Sequence, residues 1–119
     1  MNQMQQLLKR AVEEAENDNP DFCVLLESKS CPDRWVQLSW DSINAAYPFA
    51  GDPMKKIRQL GLAEFPFLEL EAWEPDSFAT FAHAADPLDQ IAVFVSQYIE
   101  RVLEVSPAIE DLRIEEQQL

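Results

Sequence analysis

The stretch DPLDQIAVFVSQYIERVLEV, residues 86–105, constrains this chain more than any other. Asp86 can cap the free N–H groups of a first helical turn, and Pro87 suits the next position, where its missing N–H costs nothing. Ile91, Phe94, Val95, Tyr98, Val102 and Val105 then recur at steps of three and four, the spacing of one helix face. Ala92, Ile99 and Leu103 widen that face, and Pro107 is expected to stop the helix. A face this broad needs a sheet or another helix to cover it. The rest of the chain should therefore supply a surface for it to lie on.

That surface is legible as strands. Residues 22–28 form an apolar run suited to a strand covered on both faces. In residues 34–40, Val36, Leu38 and Trp40 alternate with Trp35, Gln37 and Ser39, a hairpin partner for the first run. Residues 42–47 read as a third strand or a helical turn, with strand favoured. Residues 65–74 alternate Leu68, Leu70 and Ala72 against Glu69, Glu71 and Trp73, which places Trp73 on the polar face. Residues 77–84 make a fifth strand. A helix is expected over 2–17. A short one follows Asp52-Pro53, with Gly61 as its stop and Lys55, Lys56 and Arg58 as its charged face. Residues 106–119 read as an acidic tail that frays, although Ile109, Leu112 and Ile114 could dock. The expectation is one α+β domain over 1–119, an antiparallel sheet with helices in the order α-β-β-β-α-β-β-α.

The net charge is −13, and it is unevenly spread. Residues 1–60 carry seven basic and nine acidic side chains, whereas residues 61–119 carry two and thirteen. Such a surface repels nucleic-acid phosphates and anionic lipid, so neither is expected as a partner. The acidity serves solubility, or it recruits a basic partner. No basic-then-apolar leader and no long apolar run is present, which sets a cytoplasmic expectation. The two cysteines make no disulfide framework; Cys23 is expected to be buried in a strand and Cys31 to lie in a loop.

Chemistry is hard to write with these residues. His83 is the single histidine, and no nucleophile signature surrounds it; it is expected to be exposed or incidental. Three Cys and His residues lack metal-site spacing, and two glycines cannot build a phosphate loop. Glu69 and Glu71 are expected on a solvated strand face. No catalytic group, cofactor or metal is expected, and the chain is read as a non-enzyme. The aromatics carry more information. Trp35 and Trp73 fall on faces assigned as polar, which makes them either covered core or an exposed patch that receives a partner.

The runs FCVLLES and RWVQLSWDSINAAYPF, with Val36-Gln37 in the second strand, are followed by MKKIRQLGL with its leucine–glycine helix end. A strand pair then leads to the long helix. Over residues 5–105 this layout resembles the bacterial YbjN-like and TY-Chap families of the type III secretion chaperone-like fold. Where those families carry Gly-Trp after the short helix, this chain has Gly61-Leu62. The resemblance implies a small, acidic, homodimeric chaperone-like domain that holds a protein or peptide client along apolar surface. Trp35, Phe67, Trp73 and Phe81 are the residues expected to touch the client, by strand addition or groove filling. On that reading, replacing Trp73 with Glu abolishes capture and spares the fold. The alternative is an acidic inhibitor or immunity-type protein that neutralises a basic partner, with binding that weakens steeply in salt.

Overall fold

The computed structural model describes residues 6–7, 9–10, 13–14, 22–39, 41–62, 68–83, 88–106 and 109–118. Six antiparallel strands form one sheet: β1 (Phe22–Ser28), β2 (Trp35–Leu38), β3 (Ser42–Ala46), β4 (Glu69–Glu74), β5 (Phe78–Ala82) and β6 (Leu112–Gln118). Their order across the sheet is β4-β5-β3-β2-β1-β6. Two helices accompany it, α1 (Pro53–Gln59) and α2 (Leu88–Gln97). Gln6, Leu7, Lys9, Arg10, Glu13 and Glu14 are also helical, as expected for the N-terminal stretch; the remainder of that stretch lies outside the described residues. So does the Asp86-Pro87 cap. The architecture is α+β, and residues 42–46 are a strand.

The apolar face of α2 lies on the sheet, as its periodicity demands. Ile91, Phe94 and Val95 are buried with Val24, Leu26, Leu38, Ile43 and Phe81 in a single cluster. Phe81 meets Phe94 and Tyr98 edge-on, with ring centroids 5.5 and 5.9 Å apart, the geometry aromatic quadrupoles favour. The helix does not run evenly to residue 105. Tyr98–Val102 is a π-turn, in which Leu103 N–H reaches back to Tyr98 O at 3.1 Å, and Glu104 then leaves the helix with φ 55°. Tyr98 is the fixed point of this turn. Its hydroxyl donates to Ala46 O at 2.7 Å in the core, which clamps the end of α2 to the end of β3.

The termini of α1 follow its sequence closely. Asp52 accepts Met54 N–H at 2.8 Å, and Pro53 occupies the first turn. At the other end Gly61 has φ +73°, a conformation that L side chains rarely adopt. Gly61 N–H then bonds Arg58 O and Leu62 N–H bonds Ile57 O, the paired bonds of a Schellman stop. Arg101 donates to Leu60 O and Gly61 O, joining that end of α1 to the π-turn.

Two features depart from the sequence reading. The 106–119 segment is not simply a fraying tail: Leu112–Gln118 pairs with β1 along the full length of both strands. The element order therefore ends in a strand, after a 3-10 turn at Ile109–Asp111. Among the described side chains of this strand Leu112 alone sinks into the core, and Ile114 stays 38% exposed, so the strand is held mainly by backbone bonds at the sheet edge. The second feature is a bulge in β4. Leu70 pairs with Phe81 and Ala72 with Thr80, which leaves Glu71 as the extra residue. The bulge turns Trp73 onto the same face as Leu70 and sends Ala72 to the opposite one.

Candidate functional site: the uncovered sheet face

Strand alternation divides the sheet into two faces. One carries Val24, Leu26, Val36, Leu38, Ile43, Ala45, Ala79 and Phe81, all buried against the helices. Arg10, from the N-terminal helical residues, stacks over Phe22 and pairs with Glu116, which lies on this same face by its register with Val24. Among the described residues no helix lies on the other face.

That uncovered face can be read off in rows. Its middle row crosses all six strands in register: Glu115, Leu25, Gln37, Asn44, Thr80 and Ala72. A neighbouring row sets Arg113 opposite Glu27 and Glu27 opposite Trp35, and continues on the far strands through Ala46, Phe78 and Glu74. Leu25, Trp35 and Phe78 are half-buried there. The centre of the face is therefore uncharged, mixed apolar and amide or hydroxyl, whereas its two margins are acidic. Glu69 and Glu74 lie on β4 and are exposed, and Glu27 and Glu115 lie on the β1–β6 side. Arg113 answers the latter pair, at 4.0 Å from Glu27 and 3.1 Å from Glu115. Those carboxylates hold the Arg113 guanidinium above its ordinary pKa, with the Glu115 hydrogen bond as the leading cause.

The polar groups of the face are tied to one another. Thr80 donates to Asn44 at 3.0 Å. Gln37 donates to Gln117 at 3.2 Å and to the Cys23 sulfur at 3.3 Å. The two glutamine side chains thereby roof Cys23, which is 0% exposed although among the described residues no helix covers it. Burial pushes its thiol above the usual range, and the Gln37 bond offsets part of that. Cys31 is exposed, and both cysteines are free. Among the described residues no buried side-chain nitrogen or oxygen lacks a partner, and no cluster of His, Cys, Asp and Glu is placed to hold a metal.

At the Trp35 end the face opens into a pocket of about 280 Å³, lined by Asp33, Arg34, Trp35, Ala46, Tyr47, Pro48, Asp76 and Ser77. The β1–β2 turn, the end of β3 and the β4–β5 turn converge there. Backbone bonds fix them: Tyr47 N–H to Ser77 O and Asp76 N–H to Phe49 O, each 3.0 Å. The Tyr47 hydroxyl donates to Gly51 O. Its pKa is raised by burial first and then by the charges of Asp52 and Asp76.

The four residues expected to touch a client separate. Trp35 is on the face its alternation implied, where it is half-buried and packs against the margin of the core. Phe81 is 0% exposed in the core, because its strand position points it at Phe94 and Tyr98, and it offers nothing to a partner. Trp73 is turned by the β4 bulge to the helix side, where it packs edge-on to Tyr47 at 6.1 Å. Phe67 lies outside the described residues. Phe78 and Leu25 belong to the face and were not singled out by sequence; register alone assigns them. His83, expected to be exposed or incidental, is 4% exposed, with its Nε2 3.2 Å from Ser39 O. Glu69 and Glu71 are exposed.

Comparison of the chain with protein-family models, with curated proteins and with solved structures finds no match in any of the three.

Proposed function

We propose that this is a chaperone-like, non-enzymatic domain that binds a segment of another protein on its uncovered sheet face. The observation that carries the reading is the asymmetry of the sheet: one face is packed by helices, and the other, which no helix covers among the described residues, bears the half-buried Leu25, Trp35 and Phe78 around an uncharged centre. Exposed apolar surface rimmed by polar groups is the usual mark of a contact site. The acidic margins select the occupant. A second copy of the chain would set Glu27, Glu69 and Glu74 against the same carboxylates, whereas a segment with an apolar middle and basic flanks meets complementary charge. A homodimer of the kind the family resemblance implies would then form through another surface. A secretion chaperone is the specific form of this reading that the resemblance favours.

A peptide library displayed on phage tests it. Selected segments should combine apolar and basic residues and should lose binding to a Phe78→Asp variant that remains folded. Recovery of peptides that bind that variant equally would remove the uncovered face from the account. A second reading, neutralisation of a basic protein by charge alone, is favoured by the exposed run Glu69, Glu71, Glu74 and Asp76 at the β4 edge. It differs in salt dependence, since exposed charge attraction is screened beyond about 8–10 Å at physiological ionic strength. Apolar capture should persist in high salt, and charge neutralisation should not.

A further inference from the structure

The pocket beside Trp35 is set apart from the rest of the face by its shape and its charge. At about 280 Å³ it has room for one long side chain and falls just under the roughly 300–1,000 Å³ of pockets that enclose whole small molecules. Trp35, half-buried against the core margin, contributes an aromatic side chain to its lining. Asp33 and Asp76 are both exposed at its rim, and among the described residues neither joins an ion pair. Arg34 lines it too, so two carboxylates stand against one guanidinium and the lining stays negative.

We propose that this pocket seats one arginine side chain of the bound partner, its guanidinium stacked on the Trp35 ring and its charge answered by Asp33 and Asp76. The proposal rests on the partner-binding reading above and adds an anchor to it. Trp is the best aromatic platform for a cation. A planar guanidinium can stack and still present its edge donors to carboxylates, which an ammonium cannot do equally well. The loops that supply these groups come from three places in the sequence and are held by backbone bonds, so the site is preformed. At its inner wall the Tyr47 phenol is harder to ionise, by burial first and then by the negative charges of Asp52 and Asp76. The Tyr47 hydroxyl is committed to Gly51 O and takes no part.

The test uses the whole chain, isotopically labelled, with amide and indole N–H signals followed by NMR. The probes are N-acetyl-arginine methylamide, its uncharged isostere N-acetyl-citrulline methylamide, and N-acetyl-glutamate methylamide. The arginine probe should shift the Trp35 indole and the Asp76 and Ser77 amides saturably, with affinity about tenfold above that of citrulline. The double variant Asp33→Asn, Asp76→Asn should bring arginine down to the citrulline level while the remaining signals stay in place. Equal affinity for arginine and citrulline, preference for the glutamate probe, or no saturable shift at Trp35 would each overturn the proposal. A selected peptide then separates the two readings. If it shifts Leu25, Gln37 and Thr80 equally in the wild type and the double variant, the anchor is wrong and the face still binds. If arginine fills the pocket but no peptide touches those three residues, the anchor stands and the partner-binding reading fails.

Discussion

Trp35 and Trp73 are predicted to respond in opposite ways to the same substitution. Trp73 packs edge-on to Tyr47, with centroids 6.1 Å apart and rings at 89°, on the helix side of the sheet. Half-burial of a large side chain contributes about 1–1.5 kcal/mol, half the value for full burial. The ring pair adds about 0.5–1.5 kcal/mol, so Trp73→Gln should cost about 2–3 kcal/mol once the space left against Tyr47 is included. A chain of 119 residues is expected to have a total stability of roughly 6–18 kcal/mol. The variant should therefore fold, with a melting temperature lowered by about 6–15 °C. Trp35 is half-buried at the core margin as well, but it has no aromatic partner among the described residues, so Trp35→Gln should cost only about 1–1.5 kcal/mol. Client binding should follow the reverse order, lost with Trp35→Gln and kept with Trp73→Gln below its transition. Urea unfolding followed by far-UV circular dichroism measures the stabilities. If Trp73→Gln unfolds at the wild-type midpoint while Trp35→Gln loses more than about 2 kcal/mol, the faces have been assigned the wrong way round.

Other consequences are equally direct. Tyr98→Phe deletes the buried bond to Ala46 O and should cost about 1–2 kcal/mol, read from the same urea curves. Gly61→Ala places a side chain at φ +73° and should lower stability by about 1 kcal/mol. Removing residues 112–119 strips β1 of its outer partner and leaves it paired only with β2; exchange of the β1 amides that face β6 should rise sharply, and unchanged protection would contradict the role assigned to β6. Cys23, Tyr47 and Tyr98 all have pKa values raised by burial. Their contribution to stability is complete below their ordinary values and is lost as pH climbs past them, the thiol first. Alkylation of the native protein near neutral pH should accordingly modify Cys31 and spare Cys23 until the chain unfolds.

The parts of this fold that were legible in the sequence are those governed by local patterning. The apolar stripe of α2, the Asp52-Pro53 start and Gly61 stop of α1, and the alternation of Val36 and Leu38 each depend on residues close in sequence. What was not legible depends on partners far away. The bulge at Glu71 is set by the pairing of β4 with β5, and nothing in ELEAWE marks where the extra residue falls. Without it Trp73 reads as solvent-facing; with it, Trp73 joins the core margin. Strand β6 was hidden for a related reason. LRIEEQQ has carboxylates or amides on both sides, because an edge strand needs little apolar surface when the backbone of β1 supplies its bonds. Alternation placed Trp35 on the polar face but left open whether that face is covered, and its neighbours Leu25 and Phe78 required the register to be known.

Photo-crosslinking tests the central claim most directly. A benzophenone-bearing phenylalanine placed at Phe78, on the uncovered face, is compared with the same group at Val93, which is 43% exposed on the outer side of α2. Both proteins are irradiated with the phage-selected peptide, and the adducts are mapped by mass spectrometry. The account predicts an adduct at position 78 that unlabelled peptide competes away, and none at 93. A competed adduct at 93 with none at 78 would place the client on the helical side and contradict it.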